Sequence, residues 1–371
     1  MGMARKLATV LILWALLAGI SIAEKPETRF LYVIDQEYEK QIEKSRKRLV
    51  KFVDEAEIPG VAVALYKGDR IIWSEVWGYA DLELAVPVNR TTRFRIASIS
   101  KAITSVALGK LYEEGKLEWN DTIQKYVPYY PEKRWPMTIR QVAGHIGGVR
   151  TYRGNEYYQR DHYNDFNSAL SIIANDTLEY EPGTKYLYSS YGTNLLGATI
   201  EGASGQEYLS YLEGEIFTPL GLGTIVADHV DSLISNRASP YVKALDGTIL
   251  NAPYVDNSHK WAGGGLIASA EDIVSFGAAV MNAEILKPKT VEFLWEEQSL
   301  EDGKLTGYGT GWSIWKKKDE KWVGHGGGPV GGAAMLFINP EKEIVYAMLC
   351  NLQGAPVFDK NSRIILEPFL K

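Results

Sequence analysis

Phe94-Arg95-Ile96-Ala97-Ser98-Ile99-Ser100-Lys101 is the stretch from which the rest of the chain can be read. Beyond Ser98, apolar residues fall at 99, 103, 106, 107 and 111, the spacing of one helix face, and Gly115 stands where a C-cap would. The spacing predicts a helix with Ser98 in its first turn and Lys101 three residues on, on the same face and within reach. A serine hydroxyl is a weak nucleophile and needs a base beside it. Lysine serves as that base only when desolvation or a cationic neighbour brings its pKa from about 10.4 towards 7–8. The helix start also offers backbone N–H groups to a developing negative charge. Ser-x-x-Lys alone is weakly specific, and an ordinary helix start with a surface lysine is its plainer reading. Ser313-Ile314-Trp315-Lys316 matches too, but in a strand-like segment, where residues three apart point to opposite faces.

Outward from Ser98 the two ends of the chain resemble each other and differ from the middle. A long amphipathic helix is predicted over 36–56, stopping before Pro59-Gly60, followed by a hairpin of Val61–Tyr66 and Arg70–Trp77 around Lys67-Gly68-Asp69. Tyr308–Trp315, Trp322–His325, Ala333–Ile338 and Ile344–Cys350 read as short strands between Gly-rich or Asn-Pro turns, and a closing helix is expected over 357–370. The middle shows helical patterns at 98–114, 138–144, 165–174, 193–203 and 206–217. This pattern predicts an α+β fold: an antiparallel sheet built from both chain ends and flanked by helices, with an all-helical lobe inserted. The sheet lobe is expected at about 24–110 and 250–371, the helical lobe at about 111–249, and the site in the cleft between them.

Further landmarks follow Ser98 in order: His145-Ile146-Gly147-Gly148, Glu181-Pro182-Gly183, Tyr188-Ser189-Ser190, Trp261-Ala262-Gly263-Gly264-Gly265 and His325-Gly326-Gly327-Gly328. With them the chain resembles, over about 55–355, the serine β-lactamase-like superfamily of class C β-lactamases, penicillin-binding DD-peptidases and related esterases. Arg95–Lys101 and Pro253–Gly265 are similar to its mitochondrial serine β-lactamase-like branch. The resemblance implies a β-lactamase/transpeptidase-like fold and an acyl-enzyme on Ser98. It implies that Lys101 and Tyr188 share the proton transfer, with Tyr191 and Tyr186 as alternatives to Tyr188. It places the oxyanion between the N–H groups of Ser98 and Gly328, and the substrate against Ser190, His325 and Gly327. Two departures bear on specificity. Ser190 stands where the family has Asn, which puts a contact to a substrate amide in doubt. His325 stands where β-lactamases have a fixed lysine charge, so β-lactam hydrolysis should be poor. His145 is expected to be structural, and Gly263–Gly265 read equally as a loop that lines the cleft or as a packing element entering a helix.

A formal charge of −6 and the lack of a basic stripe give no basis for nucleic-acid binding. Lys44-Ser45-Arg46-Lys47-Arg48 reads as a solvated helix face. Five scattered histidines and one cysteine, Cys350, make no metal-ligand cluster, so neither metal nor cofactor is expected. Gly-x-Ser-x-Gly is absent, which argues against an α/β-hydrolase route to the same chemistry. Arg5 and Lys6, the apolar run 7–20 and Ser21-Ile22-Ala23 read as an export signal over 1–23. An uncleaved anchor, with membrane association through 7–22, is the second reading and a mitochondrial presequence the third. The resulting expectation is a secreted or extracytoplasmic serine hydrolase acting on peptide or small-ester substrates, peptide bonds favoured, with a small-ester carboxylesterase or weak β-lactamase as alternative. Two alternatives lie in other classes: a penicillin-binding module that deacylates slowly, and a self-associating structural protein with a silent site.

Overall fold

The computed structural model describes residues 28–317, 320–358 and 360–370. The targeting segment expected over 1–23 lies outside them. No helix among the described residues is long and apolar enough to cross a membrane.

The two chain ends meet in one sheet. Strands β1 (Arg29–Ile34), β2 (Gly60–Lys67), β3 (Arg70–Asp81), β4 (Ser313–Lys317), β5 (Glu320–Gly327), β6 (Ala333–Asn339) and β7 (Ile344–Cys350) run in the order β1-β3-β2-β7-β6-β5-β4, with the short strand Val86–Pro87 on β3. All pairings are antiparallel, and β2 against β7, Val61 opposite Cys350 through Lys67 opposite Ile344, closes the N-terminal hairpin onto the C-terminal meander. Strand residues alternate between two cores, as the period of two demands. Val61, Val63, Leu65, Met335, Phe337, Tyr346, Met348 and Cys350 face one way, under helix α1 (Glu39–Ala56). Ala62, Ala64, Ala334, Leu336, Val345 and Ala347 face the other, with the helical part of the molecule. The alanines on this second face let a helix lie close: a Cβ on Gly277 would stand 2.6 Å from Val345 Cγ1.

That second face supports α4 (Ala270–Met281) and, at β5, α2 (Ser100–Glu113); α3 (Ser190–Ser204) packs on α2, and α5 (Lys360–Leu366) packs beside α1. Ser189 caps α3 by accepting from Gly192 N at 3.0 Å, and Ser269 caps α4 by accepting from Asp272 N at 3.3 Å. Helices at Ile139–Ala143 and Phe166–Ala174 begin on capping boxes at Thr138 and Asp165.

Several expectations are corrected. Tyr308–Trp312 is not strand: Gly307 and Gly311 have φ of 71° and 81°, and the turn presses Gly311 against Ser105 and Lys101 of α2. The closing helix is broken, a 3₁₀ turn at Glu367–Phe369 replacing it where Pro368 removes a donor. The 206–217 helix is Tyr208–Leu212 followed by a π turn over Glu213–Phe217. Strand β1, unassigned from sequence, borders β3. The basic helix face is also only half solvated. Arg46 Nε reaches Glu75 at 2.6 Å, and this carboxylate, on a side chain with 0% exposure, also takes Arg29 Nε at 3.1 Å and Trp73 Nε1 at 3.0 Å. Glu75→Ala strands both guanidinium groups and an indole N–H. Because Arg46 and Arg29 can turn to solvent, the expected loss is at the low end of a broken buried pair, about 3 kcal/mol. Urea unfolding checks it.

Candidate active site

Ser98 lies in a 3₁₀ turn, Ala97–Ile99, that runs directly into α2. The turn is held in a conformation that side chains disfavour: Ala97 has φ of 42°. Its neighbours fix it. Ile96 N donates to Leu266 O at 3.1 Å, and Gly327 at the end of β5 lies so close that a Cβ there would stand 2.1 Å from Ile96 O. Strain of this kind persists only where surroundings over-determine it. The turn, β5 and α2 therefore form one unit that presents Ser98, itself half-buried, at the cleft.

Lys101 is 1% exposed. Its Nζ lies 3.0 Å from Ser98 Oγ, 3.0 Å from Ser190 Oγ and 2.5 Å from Gly263 O. No carboxylate among the described residues pairs with it. A carbonyl only accepts, so Nζ donates to Gly263 O. A neutral amine has a second hydrogen for Ser190 Oγ and a lone pair left for the Ser98 hydroxyl. Burial, then the charge of Lys260, hold the Lys101 pKa well below 10.5, which favours that neutral form.

Tyr188 packs its ring 4.9 Å from Lys101 Nζ and makes contact with Ser98 through its hydroxyl. Burial raises its phenol above the usual 10, and the Ser98 contact works against the rise, so Tyr188 stays protonated at neutral pH. Tyr186 is exposed and Tyr191 packs against Tyr152, away from this contact. Behind Tyr188 stands His145, 3% exposed, with ring centres 4.3 Å apart, and Tyr308, 4.6 Å beyond His145. His145 has φ of 61° and accepts from Ser189 N at 3.3 Å, as befits a turn residue that shapes the site. Burial keeps it far below its usual pKa and neutral.

Two expected substrate contacts are placed differently. Ser190 is buried and its hydroxyl meets Lys101 and the Tyr152 phenol rather than open cleft. His325 is 3% exposed, with Nδ1 2.7 Å from Gly326 O and Nε2 2.8 Å from Tyr308 Oη. The carbonyl must accept, so Nδ1 carries the hydrogen and Tyr308 donates to Nε2, leaving no nitrogen for a substrate. The cause is register: His325 pairs with Leu336 on the face covered by the helical part. Burial, then Lys101, push its pKa down to about 3, so it carries no charge here. Gly327 is buried against Ile96, whereas Gly328 emerges exposed, with open space where a Cβ would sit and its carbonyl accepting from Tyr157 Oη at 2.7 Å.

Sequence reasoning missed Tyr157, Tyr308 and Lys260. Lys260 lies within Pro253–Gly265, a stretch that carries the resemblance to the mitochondrial branch but assigns this lysine no role. Nothing in spacing shows that its side chain is buried.

A model of the β-lactamase family, described as Beta-lactamase, matches residues 46–367. The chain belongs to the β-lactamase family. The human mitochondrial serine β-lactamase-like protein LACTB is 30% identical, over 89% of this chain and 80% of its own. In fold the chain is similar to the octameric penicillin-binding protein homologue of Pyrococcus abyssi, with a TM-score of 0.75, 24% identity, and 89% and 77% of the two chains covered. It is also similar to the D-amino acid amidase of Ochrobactrum anthropi, with a TM-score of 0.77, 22% identity, and coverage of 89% and 99%. Among the described residues no group of three or more His, Cys, Asp or Glu is placed to hold a metal ion. A cavity of about 550 Å³ is lined by Arg93, Phe217, Leu222 and Leu233, and no residue of the serine site lines it.

Proposed function

We propose that the chain is a serine acyl hydrolase that cleaves peptide or related amide bonds, with small esters as a second substrate class. The observation that carries this reading is Lys101 Nζ 3.0 Å from Ser98 Oγ, buried and without a carboxylate partner. Neutral Lys101 takes the hydroxyl proton as Ser98 Oγ bonds to the substrate carbonyl carbon, and the resulting oxyanion is held by the N–H groups of Ser98 and Gly328. Tyr188, protonated and touching Ser98, passes a proton to the departing nitrogen or oxygen and is replenished from Lys101. Water then attacks the acyl-Ser98 ester, giving up a proton to the same pair, and Ser98 leaves with it. Amides are favoured because an amine must be protonated to depart, and Tyr188, which carries its proton at neutral pH, stands at the nucleophile to supply one. With His325 neutral and internally bonded, slow nitrocefin turnover is expected.

Turnover of a panel of amino-acid p-nitroanilides and p-nitrophenyl esters tests the proposal. Wild type should hydrolyse at least one, and Ser98→Ala should lower kcat/KM by about 10³-fold or more. Acyl-Ser98 that accumulates without turnover would instead identify a penicillin-binding module. Neither turnover nor adduct from folded protein would contradict the reading.

A further inference from the structure

Three cations and one carboxylate meet beside the nucleophile. Asp228, 1% exposed, receives Arg95 Nε at 2.7 Å and Asn257 Nδ2 at 2.8 Å, and Arg237 Nε stands 3.5 Å from its other oxygen. Its charge is thus already shared between two guanidinium groups. Lys260 adds a third cation, 6% exposed, and no hydrogen bond or ion pair engages its ammonium among the described residues. A largely buried ammonium that meets an aromatic face but no hydrogen-bond acceptor is costly, and chains tolerate it where something else completes it. Burial and then Arg95 lower its pKa only to about 8, with Asp228 acting the other way, so at pH 7 the group stays mostly charged.

Its position ties it to the reaction. Nζ lies 5.4 Å from the centre of the Tyr157 ring, and Tyr157 Oη donates to Gly328 O at 2.7 Å. Its charge also reaches Lys101. Tuning Lys101 needs only a charge in range. It does not need an ammonium that has no hydrogen-bond acceptor among the described residues, which is what an anion-docking position needs. We propose that Lys260 receives a carboxylate of the substrate, so that this site selects acyl compounds bearing an acidic group near the scissile carbonyl. The inference rests on Ser98 being the nucleophile.

The test compares three esters of one acyl length at pH 7: p-nitrophenyl valerate, p-nitrophenyl monoglutarate with the carboxylate on the acyl side, and 3-carboxy-4-nitrophenyl valerate with it on the leaving group. Wild type should favour one acidic ester over the neutral one by at least about tenfold in kcat/KM, after correction for each ester's uncatalysed rate. Lys260→Met should abolish that ratio and Lys260→Arg should keep most of it. The ratio is the readout because loss of Lys260 also changes Lys101, which serves all three esters alike. No preference in wild type, or a preference that survives Lys260→Met, overturns the proposal. Should Lys260→Met fail to fold, protection of wild-type Ser98 from a fluorophosphonate by glutarate but not by glutaramide supports it, and equal protection overturns it. Labelling of Ser98 with no acid preference sinks the Lys260 assignment alone, whereas no labelling of Ser98 sinks the hydrolase reading with it.

Discussion

Lys101→Met should lower kcat/KM by about 10³-fold, the range of a positioned general base, while the protein remains folded. Methionine keeps the length and apolar bulk of the side chain in a site that is 1% exposed. What it removes is the nitrogen 3.0 Å from Ser98 Oγ. Lys101→Arg should be as inactive, because a guanidinium retains the charge but does not give up its proton at any pH the protein survives. If the lysine acted only as a fixed charge, the arginine variant would be substantially active. The pH profile separates the same readings. A base works when deprotonated, so kcat/KM of the wild type should rise with pH as Lys101 loses its proton. Burial and the Lys260 charge place that rise well below the ordinary lysine range. Removing Lys260 takes away a like charge, raises the Lys101 pKa and should move the rise to higher pH. Stopped-flow or steady-state rates on one activated ester check all three statements.

Gly327→Ala should cost both stability and activity. The added Cβ would stand 2.1 Å from Ile96 O and 3.0 Å from Ile96 C, backbone atoms that cannot rotate away. Either β5 or the turn carrying Ser98 must move. Overpacking of this kind costs about 1–3 kcal/mol, and a shift of about 1 Å in a reacting group costs about 10²-fold in rate. The turn has little slack, since Ala97 already holds φ of 42°. Gly328→Ala is the contrast for stability: a Cβ there meets nothing within 4 Å, so Tm should change little. Thermal unfolding of the two variants side by side tests the packing argument independently of any substrate.

The sheet was legible because its strands obey a period of two on two covered faces, as in Val61, Val63 and Leu65 against Ala62 and Ala64. Ser98 and Lys101 were legible because a helical spacing puts them on one face, and the 3.0 Å contact is local. Ser190 was harder, since its meeting with Lys101 joins residues 89 apart and depends on how α3 docks against α2. Tyr308–Trp312 has the aromatic content of a strand, but Gly307 and Gly311 take conformations that turn it onto α2. His325 was placed correctly along β5 and wrongly in its contacts, because strand register, not motif, decided that it faces Tyr308. Lys260 left no periodic signal, and only the packed structure shows a buried ammonium that meets the Tyr157 ring but no hydrogen-bond acceptor among the described residues.

The central claim is that Ser98 is a nucleophile activated by Lys101. Reaction with a fluorophosphonate, with the adduct located by peptide mass mapping and its rate compared between wild type, Ser98→Ala and Lys101→Met, tests it most directly. The account predicts one adduct, on Ser98, absent in Ser98→Ala and formed far more slowly in Lys101→Met. An adduct on another residue, or equal rates in wild type and Lys101→Met, would contradict it.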